Sequence, residues 1–256
     1  AAKLTGTAVP SLAAPRIASD DAVLLPDGAI TNPTIEEIYR TGKVTNGHET
    51  FDLHSNISRQ EGALISRCLS AVKPDTYLEV GLANGLSAMF GGSTLRTIKP
   101  DYKHIILDPV QNEAWHGVGL HNLEKEGLIG NVEFIAKGSE VALPELMASG
   151  RRIQAAFIDG WHTFDHALID FFYVNRMLDE GGIVMFDDAN WPAITKLIRY
   201  VMKYPCYEYF AGGDVNLVRS VGRDVLRGCF PRLMPSIVVL RKTAKDDRSW
   251  DWYSHF

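Results

Sequence analysis

The 256-residue chain has few cysteines, no long apolar run and no cluster of basic residues. Its three cysteines show no Cys-x-x-Cys spacing, which argues against a disulfide framework and against a zinc site. No apolar stretch approaches the ~20 residues that a membrane span needs. Net charge is −5, with Lys and Arg scattered along the chain, so the basic surface that nucleic acids require is missing too.

These absences favour a protein that acts on a small molecule, with neither nucleic acid nor a membrane as partner. The composition, 46% hydrophobic and 22% charged, is typical of a globular domain. Residues 1–22 are rich in alanine and lack the basic-then-apolar pattern of a secretion signal. Together with unpaired thiols, this predicts a cytoplasmic protein.

From residue 75 onward, strand and helix patterns alternate regularly. Short apolar runs predict seven strands, at 76–81, 103–108, 131–136, 153–158, 182–187, about 206–211 and 235–241. Helical patterns lie at 84–97, 111–127, 140–149, 163–179 and 191–203. This alternation predicts the α/β class, with a Rossmann-like, doubly wound, seven-stranded and mostly parallel sheet and helices on both faces.

An N-terminal extension precedes the alternating region. Residues 1–32, rich in Ala, Pro, Gly and Thr, predict an extended or partly disordered arm, and residues 33–40 a short helix. Ser58 and Glu61 have the spacing of a capping box, which predicts a helix that starts at Ser58 and ends near Lys73. We therefore divide the chain into residues 1–57, an arm with short helices, and residues 58–256, one folded domain.

Three aspartates stand where predicted strands end. Asp159 follows Ala-Ala-Phe-Ile, and Asp187 and Asp188 follow Gly-Ile-Val-Met-Phe. Ligands in open α/β sheets gather outside the carboxyl ends of the strands. Three carboxylates at one rim repel each other, and a hard divalent cation such as Mg²⁺ prefers oxygen ligands. The pattern predicts an enzyme with a divalent cation, most simply Mg²⁺, at this rim.

The first strand of the alternating region leads into a turn that contains two glycines, within Glu79-Val-Gly-Leu-Ala-Asn-Gly-Leu-Ser87. Glycines let backbone approach a ligand closely, and the helix that follows offers free N–H groups. The turn is not the Gly-x-Gly-x-x-Gly dinucleotide motif, because Ala83 replaces the second glycine. A nicotinamide dehydrogenase is therefore disfavoured.

Two further strand ends carry groups that an adenosine ligand needs. Asp108 ends the second strand, where an acidic residue suits the two hydroxyls of a ribose. Gly138, Ser139 and Glu140 follow the third strand, where the edge of an adenine would lie. The combination of three consecutive strand ends predicts an adenosine-containing ligand.

At this point the chain resembles the class I S-adenosylmethionine-dependent methyltransferases. It is most similar to the metal-dependent small-molecule O-methyltransferases of the catechol, caffeoyl-CoA and bacterial macrocin types, from about residue 57 to residue 209. The resemblance implies that residues 58–256 form an S-adenosylmethionine-binding methyltransferase domain. The cofactor-binding residues that it implies are Glu79, Gly81, Asn84, Gly85, Ser87, Asp108, Gly138, Ser139, Glu140 and Asp159. Residues 210–234 depart from the family pattern, being richer in Gly and Arg.

The resemblance also implies how the chemistry is divided. Asp159, Asp187 and Asp188 would bind the cation, which would chelate two adjacent substrate oxygens and lower the pKa of a hydroxyl. His162 lies three residues beyond Asp159, the offset of the general base in the catechol type, so His162 and Asp159 are the implied catalytic residues. The Asp-Asp pair resembles the macrocin type, which favours a sugar or natural-product acceptor over a catechol.

Other interpretations stay open at this stage. Asp187 and Asp188 could cap the helix near Trp191, Asp159 could be a turn residue, and His162 could bond backbone at a helix start. His166 and Asp170 follow at helical spacing and are interpreted as a polar stripe rather than as ligands. For the whole chain, the alternatives are a metal-free N-methyltransferase and a catalytically silent S-adenosylmethionine-binding module.

The last seven residues contain four aromatic side chains, which are costly to leave in water. This predicts that the tail docks over an edge of the sheet or packs against a second copy of the chain. We favour a homo-oligomer.

Overall fold

The computed structural model describes residues 23–24, 30–212 and 236–255. The strands are β1 (Val23–Leu24), β2 (Ile30–Thr31), β3 (Lys43–Thr45), β4 (Thr50–Asp52), β5 (Thr76–Val80), β6 (Lys103–Leu107), β7 (Val132–Ile135), β8 (Ile153–Ile158), β9 (Leu178–Phe186), β10 (Tyr207–Gly212) and β11 (Val238–Lys242). The helices are α1 (Pro33–Thr41), α2 (Arg59–Val72), α3 (Leu86–Ile98), α4 (Val118–Lys125), α5 (Ser139–Ala148), α6 (Phe164–Met177) and α7 (Pro192–Val201). A short 3₁₀ helix at Ile129–Asn131 precedes β7.

The central sheet has seven strands in the order β10-β11-β9-β8-β5-β6-β7. Strands β5 to β9 pair in parallel, while β11 pairs antiparallel with both β9 and β10. The predicted mostly parallel sheet of the α/β class is therefore confirmed. Because β8, β5, β6 and β7 are neighbours that point the same way, their carboxyl ends meet at one rim.

Helices cover both faces of this sheet, as predicted. In β8, Ala155 and Phe157 join the core on the side of α2 and α3, while Ala156 and Ile158 join the core on the side of α5, α6 and α7. Successive side chains along a strand point to opposite faces of the sheet. A strand whose side chains are all apolar is therefore covered on both faces. The continuous apolar runs in the sequence have this cause.

The predicted start of α2 is confirmed by its capping box. The Ser58 hydroxyl accepts a hydrogen bond from the backbone N–H of Glu61 at 3.3 Å, and the Glu61 carboxylate accepts one from the Ser58 N–H. The helix ends at Val72, where Lys73 adopts a left-handed conformation before Pro74. This places α2 against α3 on one face of the sheet.

The main difference from prediction is the start of α4, at Val118 rather than at residue 111. Gln111 donates its side-chain amide to the carbonyl of Ala83 at 3.0 Å and accepts from the N–H of Gly119 at 3.0 Å. These tertiary hydrogen bonds hold residues 109–117 as turns beside the β5–α3 connection, and His116 and Gly117 have positive φ. The segment thus forms part of the rim instead of a helix.

A hairpin of β3 and β4 was not among the predicted elements. Its turn is built on Asn46, whose side-chain oxygen accepts from the N–H groups of His48 and Glu49. The dipeptide Asn46-Gly47 is a strong hairpin signal, and it stands between short runs of strand-forming residues. The signal was therefore present in the sequence.

The described part of the N-terminal extension packs against the domain. Ile30 and Ile35 are fully buried, and Asn32 both caps α1 and donates to the hydroxyl of Ser93 on α3. The short helix predicted at 33–40 is confirmed as α1. The arm predicted for 1–32 lies outside the described residues apart from 23–24 and 30–32, and the boundary at residue 57 stays a prediction.

The end of the chain docks on its own subunit in part. Strands β10 and β11 lie where strands were predicted. Residues 213–235, which include most of the Gly- and Arg-rich stretch between these strands, lie outside the described residues. Trp252 packs against Tyr200 and Tyr204, whereas Trp250 is 97% exposed.

Within the described ranges, no helix combines the length and apolarity needed to cross a membrane.

Candidate active site

A cavity of about 420 Å³ opens at the carboxyl edge of the sheet. Its lining includes Gly81 after β5, Asp108 after β6, residues 138–140 after β7 and Asp159 after β8. The four segments come together because their strands are adjacent and parallel. Six of the predicted cofactor residues therefore share one cavity.

Asp108 organises the middle of this cavity. It is 3% exposed, and its Oδ2 accepts from the N–H groups of Leu82 and Ala83 at 3.2 and 3.1 Å. Its Oδ1 accepts from the N–H of Val110 at 2.9 Å. A carboxylate has about four acceptor positions, so Oδ1 retains capacity for a ligand hydroxyl.

The turn between β5 and α3 needs its glycines for a close approach between two strand ends. Gly81 has φ of 93°, and a Cβ placed on it would lie 2.2 Å from the carbonyl oxygen of Asp159. Gly85 has φ of 79°, and a Cβ there would lie 3.0 Å from the carbonyl oxygen of Gly119. Ala83, between them, also has positive φ. The turn thus lies close to the residue that follows β8 and to the start of α4.

Glu79 and Ser87 lie beneath this turn, not in the lining of the cavity. Glu79 is fully buried; it accepts a hydrogen bond from the Ser87 hydroxyl and lies 2.9 Å from Nε2 of His104. Both partners belong to the protein, so the structure gives Glu79 a clear part in holding the start of α3. The predicted contact of Glu79 and Ser87 with a cofactor stays a prediction.

Asn84 and Gly85 also lie outside the lining and join the turn to its neighbours. The side-chain amide of Asn84 donates to the carbonyl of His54 at 3.0 Å, and its backbone carbonyl accepts from Asn122 at 2.9 Å. His54 in turn stacks on Trp115, which lines the cavity. The segment before α2 therefore contacts a residue of the cavity lining.

The three predicted metal ligands and the predicted base gather at the other end of the rim. Nδ1 of His162 lies 2.8 Å from Oδ2 of Asp188, and its Nε2 lies 3.8 Å from Oδ1 of Asp159. Asp187 follows β9, next to β8, and its Oδ1 accepts from the N–H of Asp188 at 2.8 Å. All four side chains are half-buried and belong to one cluster.

The charges of this cluster perturb each other. Burial, followed by the charges of Asp187 and Asp188, raises the pKa of Asp159 well above its usual range. Burial also raises the pKa of Asp187 to about 7. The hydrogen bond to Asp188 raises the pKa of His162 above its ordinary value. Burial and the neighbouring carboxylates thus disfavour the ionised form of Asp159, while Asp188 favours the charged form of His162.

The carboxylates of Asp159, Asp187 and Asp188 are oxygen ligands of the kind that a hard divalent cation prefers. In the described parts of the chain, no three Asp, Glu, His or Cys side chains are arranged so that they could hold one ion. In this arrangement Nδ1 of His162 lies 2.8 Å from Oδ2 of Asp188, and its Nε2 lies 3.8 Å from Oδ1 of Asp159. The cation stays a prediction.

The simpler interpretations of these residues find less support. The cap residue of α7 is Trp191, without a side-chain capping bond, so Asp187 and Asp188 do not cap that helix. His162 contacts carboxylates, and Trp191 lies beside its ring at 5.3 Å between centroids. Asp188 has φ of 46°, a strained conformation for a residue other than glycine. Such strain at a cluster of charged groups is typical of functional sites.

Two lining residues and one buried carboxylate escaped sequence reasoning. The sequence pattern predicts a helix at Trp115, and no pattern marks Trp161, although both side chains line the cavity. Asp170, which its spacing from His162 predicts to belong to a polar stripe, is only 1% exposed and so does not face solvent. Helical spacing from His162 gave the right helix but could not tell which of its faces is buried.

Comparison with known proteins identifies a family model that matches the part of the chain containing these residues. Residues 78–189 match the family model described as a methyltransferase domain. This span contains the β5–α3 turn, Asp108, Ser139 and the cluster around His162. Residues 78–189 thus resemble a methyltransferase domain. The resemblance to class I methyltransferases predicted from the sequence is thereby confirmed.

A plant protein is similar to part of this chain. A caffeoyl-CoA O-methyltransferase from Stellaria longipes is 31% identical over 163 residues, which cover 61% of this chain and 62% of the plant protein. The match thus spans less than two thirds of that relative's length.

Solved structures share the fold at low sequence identity. An O-methyltransferase from Bacillus cereus in complex with SAH aligns with a TM-score of 0.62 at 16% identity, covering 86% of this chain and 94% of that one. TomG from Streptomyces achromogenes, involved in tomaymycin synthesis and in complex with SAM, aligns with a TM-score of 0.61 at 14% identity, covering 84% and 92%. At such identities the likeness concerns the fold.

Proposed function

We propose that the protein transfers a methyl group from S-adenosylmethionine to an oxygen of a small hydroxylated molecule, such as a sugar or natural-product scaffold. One observation carries this proposal: the carboxylate of Asp108, the 138–140 turn and Asp159 line one cavity at adjacent strand ends. The relatives named above as O-methyltransferases support the reaction type.

Within this proposal the cofactor spans the cavity from β7 to β8. Oδ1 of Asp108 accepts from the ribose hydroxyls, Ser139 and Glu140 face the adenine, and the turn at Gly81 faces the methionine part. The reactive methyl group then points toward Asp159 and His162. The acceptor oxygen attacks the methyl carbon in line, the bond to sulfur breaks, and S-adenosylhomocysteine leaves.

His162 is the proposed base that takes the proton of the acceptor hydroxyl. Its Nδ1 is engaged by Asp188 at 2.8 Å, which would orient the ring and leave Nε2 to face the substrate. The raised pKa of His162 matches a group that receives a proton during the reaction. Holding the two reactants in line supplies most of the remaining rate, up to roughly 7–11 kcal/mol in well-oriented systems.

The divalent cation is the finer part of the proposal. Asp159, Asp187 and Asp188 would hold it, and when bound it would orient two substrate oxygens and acidify a hydroxyl. The grouping of three carboxylates supports this, because a cation would favour their ionised forms, which burial and, for Asp159, the neighbouring carboxylates disfavour. His162 would then have to share Asp188 with the ion.

Formation of S-adenosylhomocysteine tests the proposal with a panel of catechols, vicinal diols and sugars, assayed with Mg²⁺ and with EDTA. We expect turnover with at least one hydroxylated acceptor, lost in EDTA and restored by Mg²⁺. His162→Gln should lose roughly 10²–10⁴-fold in kcat, while its affinity for S-adenosylhomocysteine is retained. His48→Gln, an exposed histidine outside the site, is the matched control.

Each part fails separately. Full turnover in EDTA would refute the requirement for a divalent cation. The His162–Asp188 pair would then remain as the proposed base. If methyl transfer occurred only to amines, the protein would be an N-methyltransferase and not an O-methyltransferase. Binding of S-adenosylhomocysteine without turnover on any acceptor would point to a silent binding module, and no binding would refute the proposal as a whole.

A further inference from the structure

His104, on β6, is a fully buried histidine that takes no part in the proposed chemistry. Its Nε2 lies 2.9 Å from Oε2 of Glu79, and its ring stacks on Tyr77 at 4.5 Å between centroids. Both side chains of the Glu79–His104 pair are 0% exposed. Nδ1 of His104 has no hydrogen-bond partner among the described residues. A buried imidazole with a single polar contact calls for an explanation.

Glu79 lies beneath the start of α3. The hydroxyl of Ser87, in the first turn of that helix, donates to Oε1 of Glu79. The helix begins after Gly85 without a side-chain capping bond, and its first turn holds no acidic residue. The amino end of a helix carries partial positive charge, so it favours an ionised carboxylate nearby. Glu79 supplies that charge from the neighbouring strand β5.

The contacts of Glu79 determine which nitrogen of His104 carries the proton. An ionised carboxylate only accepts hydrogen bonds, so the contact to Oε2 requires an N–H at Nε2. A doubly protonated ring would bury a second, charged N–H at Nδ1 without a partner, which is costly. The arrangement therefore favours a neutral His104 with its proton on Nε2.

These hydrogen bonds close the β5–α3 turn across its base. Glu79 and Ser87 stand on either side of the turn, and Gly81 within it lines the cavity. His104 belongs to β6, the strand that leads into Asp108, so its bond to Glu79 ties the turn to that strand. His104 therefore links two walls of the cavity from beneath.

We propose that His104 is a positioning residue for the cofactor. Its Nε2–H holds the Glu79 carboxylate and, through Ser87, the start of α3 in the arrangement in which the β5–α3 turn binds the methionine part. The inference rests on the proposed function, since it needs S-adenosylmethionine in this cavity. It requires no contact between His104 and the cofactor, because the imidazole acts on affinity through the turn.

Calorimetric titration with S-adenosylhomocysteine compares two substitutions of nearly equal size. In His104→Gln the side-chain amide takes the place of Nε2 and can still donate to Glu79, whereas His104→Met offers no donor. We expect His104→Met to weaken binding by roughly tenfold and His104→Gln by less than about threefold, because only His104→Met leaves an oxygen of a charged group unpaired. A purely structural role would lower the urea midpoint of both variants and leave the affinity of the folded protein unchanged.

Two further measurements check the ring itself. Tyr77→Phe keeps the stack on His104 and removes only a hydroxyl that has no partner among the described residues, so it should bind as wild type does. A long-range proton–nitrogen NMR spectrum of the histidine-labelled wild-type protein should show a neutral ring with its proton on Nε2, in the signal that His104→Gln lacks. This spectrum decides the tautomer even if His104→Met fails to fold.

The outcomes separate the inference from the proposed function. If wild type binds S-adenosylhomocysteine and His104→Met binds it equally well, the inference is overturned and the proposed function stands. The same holds if His104→Gln loses as much affinity as His104→Met, if Tyr77→Phe loses it too, or if the proton lies on Nδ1. A wild-type protein that does not bind S-adenosylhomocysteine overturns both.

Discussion

At the scale of single residues, Asp108 has the most direct part in the proposed cofactor site. Its two oxygens accept from three backbone N–H groups and lie within reach of the Gln111 amide. It therefore holds the β5–α3 turn against the end of β6 as well as facing the cavity. Loss of its carboxylate should affect cofactor binding both directly and through the turn.

We expect Asp108→Ala to weaken binding of S-adenosylhomocysteine by roughly 10- to 150-fold. The loss corresponds to roughly 1.5–3 kcal/mol, the range for hydrogen bonds to a charged group. Calorimetric titration measures it, with Asp101→Ala as control, since Asp101 is exposed and lies at the opposite end of β6. Equal affinities of Asp108→Ala and wild type would remove Asp108 from the cofactor site.

Cavity residues at or directly after strand ends could be predicted from the sequence, whereas the burial of Asp170, farther along α6, could not. Asp108 and Asp159 stand at the end of apolar runs, and parallel strands bring such ends together whatever the loops do. Asp170 offers no such marker, because its burial depends on how α6 lies on the sheet. Glu79 lies at the end of its strand as well, yet its carboxylate turns inward to Ser87 and His104.

At the scale of elements, the β5–α3 turn couples the cofactor side of the cavity to the charged cluster. Gly81 lies so close to Asp159 that its missing side chain is what allows the two strand ends to touch. The backbone N–H of Asp159 also donates to the carbonyl of Val80 at 2.9 Å. A change at Gly81 should therefore displace Asp159.

Gly81→Ala is expected to lower the free energy of unfolding by roughly 2–5 kcal/mol, as backbone strain and a steric clash add. Gly150→Ala provides a matched control: Gly150 also has positive φ, but nothing lies within 4 Å of its added Cβ. That variant should lose only roughly 1–2 kcal/mol, the cost of the left-handed conformation. Urea unfolding compares the two.

Equal losses in the two glycine variants would mean that the close approach to Asp159 carries no energetic weight. A larger loss in Gly81→Ala, accompanied by weaker S-adenosylhomocysteine binding, would show that the turn and the cluster move together.

The elements of the sheet were predicted to within a few residues because strands such as β8 and β9 carry apolar side chains on both faces. The start of α4 was not, because the side chain of Gln111 bonds to groups distant in the chain, which local periodicity does not contain. The β3–β4 hairpin had a local signal in Asn46-Gly47, and its strands are only three residues long. Short strands give little periodicity to detect.

At the scale of the whole molecule, the C-terminal segment closes the fold over α6 and α7. Asp246 accepts from the side chain of Asn175 on α6 at 2.7 Å and pairs with Arg248 at 2.7 and 2.8 Å. The Arg248 guanidinium lies over the ring of Tyr204 at 3.2 Å and over Trp252 at 4.6 Å. The aromatic tail is thus held to its own subunit through one carboxylate, and a homo-oligomer stays a proposal.

The carboxylate of Asp246 should make stability depend on pH in a defined direction. Its hydrogen bonds to Arg248 lower its pKa to about 2 from the value of 3.8 that it has in an unfolded chain. Because the pKa of the folded state is the lower one, the contribution is fully present above pH ~4 and is lost as pH falls toward 2. The difference corresponds to roughly 2 kcal/mol at neutral pH.

Asp246→Asn should therefore unfold more easily than wild type at pH 7, by roughly 2 kcal/mol, with the gap narrowing between pH 4 and pH 2. Asp247→Asn, at the exposed neighbouring position, controls for the change in net charge. Urea unfolding followed by tryptophan fluorescence at pH 7, 4 and 3 gives the three free energies. A difference in unfolding free energy that stays constant with pH, or that appears equally in Asp247→Asn, would show that the ion pair does not hold the tail. The packing of Trp252 would then have to hold the tail instead.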